Sequence, residues 1–128
     1  MVRRIIFDLD DTLVRTGICF RDQLQEFAEK VHTTLPLPDD HGPSDILDHQ
    51  RRINIDLYEE HGFSNDHFPR SLVQTWISYC RESDRPVYAD ELEECRRIGW
   101  RVFERIPEPI PGMESVLDEL QTEYELVL

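Results

Sequence analysis

The stretch Ile5-Ile6-Phe7-Asp8-Leu9-Asp10-Asp11-Thr12-Leu13 decides how this sequence is to be read. A short apolar run, bounded by Arg3-Arg4 on one side and acid on the other, suits a buried strand of a parallel sheet over residues 3–9. The same run could open a buried helix. The acid cluster directly after it, and Gly17 soon after, favour a strand that ends in a loop. Strand ends of this kind matter, because in a parallel α/β sheet the carboxyl ends of the strands line the ligand crevice.

Outward from that stretch the pattern becomes helical. Phe20, Leu24, Phe27, Val31 and Leu35 form one apolar stripe with Arg21, Gln25, Glu26 and Glu29 off it. A breaker cluster of Pro36, Pro38, Asp39, Asp40, Gly42 and Pro43 predicts a loop. Ser44 can cap a second helix striped by Ile46, Ile53 and Leu57 and ending at His61-Gly62. Asp66 can cap a third, with Phe68, Leu72, Trp76 and Cys80 on one face, broken at Arg85-Pro86. A fourth runs over about 90–105 with Leu92, Cys95, Ile98, Val102 and Phe103. Pro107, Pro109, Pro111 and Gly112 make a stiff joint, and Met113, Val116, Leu117 and Leu120 stripe a short last helix. Leu126-Val127-Leu128 reads as the start of a second buried strand. Strand, helical insertion, helix and strand make half of a parallel α/β sheet. One strand pair with one covering helix leaves a sheet face without cover, so the chain reads as cut short.

Composition excludes other classes. The chain has 128 residues, 14 Lys+Arg, 27 Asp+Glu and a net charge of −13. That charge repels phosphate backbones and anionic lipid, so neither nucleic acid nor a membrane surface is an expected partner. No apolar run approaches the roughly 18 residues of a membrane span. The N-terminus has too short an apolar core for a signal peptide, which predicts a cytoplasmic location. Cys19, Cys80 and Cys95 are odd in number and far apart, as buried free thiols would be. Lys30 is the only lysine. Such a Lys-poor, acid-rich chain suits a high-salt cytoplasm, although a GC-rich genome gives the same bias.

The chemistry rests on Asp8 and Asp10. Two apart in an extended segment, both can point into the crevice. Two carboxylates with the backbone carbonyl between them form a hard-oxygen site suited to Mg²⁺. A carboxylate beside Mg²⁺ can attack phosphorus, and a second carboxyl can protonate the leaving alcohol and then activate water. In a chain with 27 acids the pair alone means little. The whole string, with its strand, Thr12 and Leu13, means much more.

That string resembles the first motif, DxDx[TV], of the haloacid dehalogenase-like (HAD) hydrolases. Pro109-Ile110-Pro111-Gly112 with the following helix is similar to the segment by which such chains return to their core. The resemblance implies a partial Rossmann-like α/β core, residues 1–16 and 106–128, with a helical C1 cap over 17–105. It implies an Mg²⁺-dependent phosphatase acting on a small phosphorylated metabolite through an aspartyl-phosphate. Asp8 would be the nucleophile and Asp10 the general acid/base. Asp8 and Asp10 would hold Mg²⁺, and Thr12 would support the loop. True 2-haloacid dehalogenases lack the second acid, so Asp10 favours phosphate.

The family's later motifs, a Ser or Thr, a Lys and an acidic pair, have no counterpart in these 128 residues. Lys30 matches none of them. Electrostatic stabilisation is usually the largest catalytic term. The chain is therefore expected to be truncated and inactive as it stands, with no turnover of p-nitrophenyl phosphate above an Asp8→Asn control. The alternative is a non-catalytic fragment or cap-like interaction module that self-associates through an incomplete core. Other residues read as ordinary surface or core. Asp11 is a solvated loop acid, and Gly17 is either a hinge or a turn. The five histidines are surface or loop residues without metal-ligand spacing. Trp76 and Trp100 are core, and Asp90-Glu91 and Glu93-Glu94 are solvated faces.

Overall fold

The computed structural model describes residues 2–128. Met1, the first position of the expected core segment 1–16, lies outside the described residues. The element order is β1 (Arg4–Ile6), β2 (Val14–Arg15), α1 (Gly17–Thr34), α2 (Pro43–His61), α3 (His67–Glu82), α4 (Ala89–Glu104), β3 (Glu108–Pro109), α5 (Met113–Leu120) and β4 (Glu125–Val127). The chain forms two compact units, one from residues up to Arg21 with Arg105–Leu128, the other from Asp22–Glu104. Among the described residues, no helix is long and apolar enough to cross a membrane.

The first unit bears the strands. β1 and β4 pair in parallel, with Arg4 opposite Glu125, Ile5 opposite Leu126 and Ile6 opposite Val127. The Phe7 N–H carries the ladder one residue further, donating to the Val127 carbonyl at 2.9 Å. Arg4 Nε reinforces the register with a 2.6 Å ion pair to Glu125. The expected parallel pair forms, but its strands are not buried. Ile6 is 78% exposed and Leu128 76%. Two strands and one eight-residue helix present too little apolar surface to cover both faces, and α5 itself has no buried residue. Gly112, at φ 84°, supplies the left-handed turn that starts α5 after the proline joint.

A second ribbon was not legible in the sequence. β2 pairs antiparallel with β3, Val14 opposite Pro109 and Arg15 opposite Glu108. The Ile110 N–H adds a bond to the Leu13 carbonyl. The two stems of the inserted segment are thereby held side by side.

The second unit is the insertion, and it holds most of the buried side chains. α3 packs against both α2 and α4. Trp76, Phe27, Ile46, Leu72, Ile98 and Val31 are among its fully buried residues. Gly99 lets α4 approach α3 closely, since a Cβ there would lie 2.5 Å from the Pro69 Cα. Most of the predicted stripes of α1, α3 and α4 fall on the core, although Phe20, Leu24 and Leu92 are only half-buried. Phe103 is 51% exposed, and Trp100, 38% exposed, packs beside it rather than in the core.

Two predicted caps differ. α2 begins at Pro43 rather than after Ser44, because Pro suits a first helical turn. The Asp45 carboxylate accepts the Gly42 N–H at 2.9 Å there. Asp66 precedes α3, but its carboxylate accepts from the Ser64 hydroxyl instead of capping the helix. That bond holds the Asp66 carboxyl below its usual range.

Candidate active site

The strand-bearing unit carries the predicted site residues together, directly after β1. Asp8, Asp10 and Thr12 are all exposed. Among the described residues neither the Asp8 nor the Asp10 carboxylate takes part in a side-chain hydrogen bond or ion pair. The loop around them is closed by main-chain bonds. Leu13 and Val14 donate to the Leu9 carbonyl at 2.9 and 3.2 Å, and Asp11 donates to the Val14 carbonyl at 2.7 Å. Asp10 sits between these partners and bridges Val14 in parallel fashion. The bonds use the carbonyl of Leu9 and the N–H of Asp11, and leave the Asp10 carbonyl without a main-chain donor among the described residues.

The donor set can be tested against Mg²⁺. The ion prefers oxygen ligands, keeps several waters and needs only one or two carboxylates from a protein. One free carboxylate at Asp8 and one free carbonyl at Asp10 fit that requirement. No group of three or more His, Cys, Asp or Glu among the described residues is arranged to hold a metal ion. That excludes a dedicated all-protein cage among those residues, which Mg²⁺ does not require.

Beside the loop lies an apolar hollow of about 320 Å³, lined by Phe7, Thr12, Leu13, Ile110, Met113 and Val116 among others. Asp11 is not a free solvated acid. Its Oδ1 accepts the Thr16 and Gly17 N–H groups at 3.0 and 2.9 Å. Its backbone is left-handed, with φ 56°.

Several polar residues of the helical unit form structural ties. Lys30 donates to Glu94 at 2.6 Å and lies over the Trp76 ring. Arg85 grips Glu91 through both terminal nitrogens, at 2.8 and 2.5 Å. Glu91 and Glu94 are thus partners of cations rather than part of a solvated face. The Arg85 hydrogen bonds hold the Glu91 carboxyl below its usual range.

His32 and His61 are exposed and His41 lies in a loop, as expected, whereas His49 is half-buried on α2. His41 bonds the Tyr79 hydroxyl at 2.8 Å, and His49 bonds the Ser78 hydroxyl at 2.9 Å. Ser78 in turn donates to Glu82 at 3.1 Å. These contacts tie α2 and the loop before it to α3. Burial lowers the His49 pKa, opposed by Glu82 and assisted by Arg52 and His41. Burial, with Glu82 and Asp45, raises the Tyr79 hydroxyl to about 12. Helical periodicity gives no sign of these ties, since His41 lies in a loop and His49 beside the apolar stripe. Cys19, Cys80 and Cys95 are buried and free. Burial raises the Cys95 thiol to about 12, which keeps it protonated and inert.

Comparison with solved structures defines the class of fold. The chain is similar to a haloacid dehalogenase-like family hydrolase from Xanthomonas campestris, with a TM-score of 0.71 and 16% sequence identity. The similarity covers 98% of this chain and 48% of that one, so the chain spans about half the length of the structure it matches. The fold is therefore a mixed α/β, HAD-like one. No family model matches the sequence, and no curated protein does.

Proposed function

We propose that Asp8 and Asp10 are the nucleophile and the general acid/base of an Mg²⁺-dependent phosphatase for small phosphate esters. One observation carries this reading. At the carboxyl end of β1 the two carboxylates stand exposed and uncommitted, on a loop whose bonding leaves the Asp10 carbonyl free. The likeness to a HAD-like hydrolase supports the reading at the level of fold.

An Asp8 carboxylate oxygen would attack phosphorus as the ester P–O bond breaks, and the Asp10 carboxyl would give its proton to the leaving alcohol. Asp10, now a carboxylate, would take a proton from water as that water attacks the aspartyl-phosphate. Inorganic phosphate would leave, and Asp8 would be restored. Mg²⁺, held by the Asp8 carboxylate and the Asp10 carbonyl, would supply charge neutralisation between the nucleophile and the phosphoryl oxygens. Thr12 would support the loop, and the helical unit would act as the cap that selects substrate. The activity and its substrate belong to the whole protein, of which a cytoplasmic location is also proposed.

Mg²⁺ titration of the ¹⁵N-labelled chain tests the site. The amides of residues 8–12 are expected to shift in the wild type and not in Asp8→Asn. Mg²⁺ that leaves those amides unmoved would falsify the reading. Release of halide from 2-haloacids, in place of phosphate from esters, would replace it with a dehalogenase.

A further inference from the structure

We propose that Asp11 is a positioning residue whose carboxylate fastens the Asp8–Asp10 loop to the first turn of α1 and thereby sets the conformation of that loop. The inference rests on the proposed reaction only for the use to which the loop is put.

Three observations meet at this residue. Its φ of 56° lies where most L side chains are disfavoured, glycine is free, and Asn or Asp is tolerated. Its Oδ1 accepts two N–H groups, Thr16 at 3.0 Å and Gly17 at 2.9 Å, which the start of a helix leaves without intrahelical partners. Its own N–H closes the loop on the Val14 carbonyl at 2.7 Å. One residue thus ties the loop at both ends, through the main chain to Val14 and through the side chain to α1. Asp10, next to it, inherits its orientation from that double tie. A negative group at a helix N-terminus is favoured electrostatically as well.

Gly17 fits the same arrangement from the other side. A Cβ there would lie 3.0 Å from Asp11 Oδ2 and 3.3 Å from Oδ1. A side chain at residue 17 would crowd the carboxylate and require it to give by a few tenths of an ångström. Gly17 thus leaves room beside the helix start for the Asp11 carboxylate.

Amide hydrogen exchange on the ¹⁵N-labelled 128-residue chain tests the proposal. Asp11→Gly removes the carboxylate and leaves the backbone free to keep its φ. It is expected to speed exchange roughly tenfold at Thr16 and Gly17 and also at residues 11, 13 and 14, with Phe7 unchanged. Asp11→Asn keeps one acceptor and tolerates the left-handed region, so it should restore the wild-type pattern.

Faster exchange confined to Thr16 and Gly17 would make Asp11 a helix cap and nothing more, and would overturn the proposal. So would failure of Asp11→Asn to restore the pattern. If the exchange pattern holds while Mg²⁺ fails to shift residues 8–12, the proposed reaction falls and the positioning role stands.

Discussion

Trp76, among the inserted helices, is fully buried, while Ile6, on the strand that leads to the two carboxylates, is 78% exposed. The contrast holds across the two units. In the helical unit, Phe27, Val31, Leu72, Cys80, Cys95 and Ile98 are at or near zero exposure. Among the described residues of the strand-bearing unit only Leu13 and Cys19 are buried, and Ile106 is 93% exposed. Burial of apolar surface is the dominant favourable term in folding. The part that holds the chain's stability is therefore not the part that carries its candidate chemistry.

The sharpest way to break this comparison is Trp76→Ala. Loss of a fully buried aromatic is expected to destabilise the helical unit by about 3–5 kcal/mol. Denaturant unfolding followed by far-ultraviolet circular dichroism would read it, and a loss below about 1 kcal/mol would contradict the packing described. Next comes Gly99→Ala, which would press a methyl group against the Pro69 backbone. Overpacking of this kind costs about 1–3 kcal/mol, far above what the same change yields on an exposed helix face.

A smaller effect is expected from acid. His49 has a folded pKa below its ordinary 6.5, chiefly through burial. The unfolded chain therefore takes up the proton first, and stability should fall as pH drops below about 6.5 and level off below the folded value. The groups that face His49 are Glu82, Arg52 and His41. His49→Gln should flatten that limb in a series of thermal melts, and a slope that persists in the variant would refute it. A separate loss at lower pH, below the ordinary carboxylate range, is expected as Glu91 protonates and releases Arg85.

The smallest effects belong to the strand-bearing unit. Ile6→Ala and Asp8→Asn should each change stability by no more than about 0.5 kcal/mol, because neither removes a buried contact. A large loss from Ile6→Ala in the same unfolding assay would mean that the strand is covered in solution.

Legibility in the sequence followed the same divide. The helices could be read because Phe27, Val31, Leu72, Trp76 and Ile98 recur at helical spacing and bury the face that spacing defines. The parallel partners β1 and β4 could be read as strands, and counting the elements at hand already pointed to a sheet face without cover. The apolar pattern of each strand alone suggests burial; only the tally of elements shows how little there is to cover them. Asp8 and Asp10 stood out through the string around them. The roles of Asp11, His41 and His49 did not, because each depends on a partner that periodicity does not connect to it. Asp11 meets Thr16 and Gly17 through a loop, and His49 meets Ser78 across a helix pair. The β2–β3 ribbon escaped for a plainer reason, as two residues on each side are too few to show alternation.

That ribbon makes the junction a socket. Neighbouring strands lie about 4.8 Å apart, so whatever departs after Arg15 comes back beside its own point of departure. The entropy of closing a loop grows only with the logarithm of its length. The sheet and its carboxylates are thus nearly indifferent to how much polypeptide is plugged in between. A designer could excise the helices beyond the first turn of α1, keeping Thr16 and Gly17 as the partners of Asp11, or graft a foreign domain at the same place. Evolution would find the same freedom there, lengthening or exchanging the insert by whole helices while Asp8 and Asp10 keep their address.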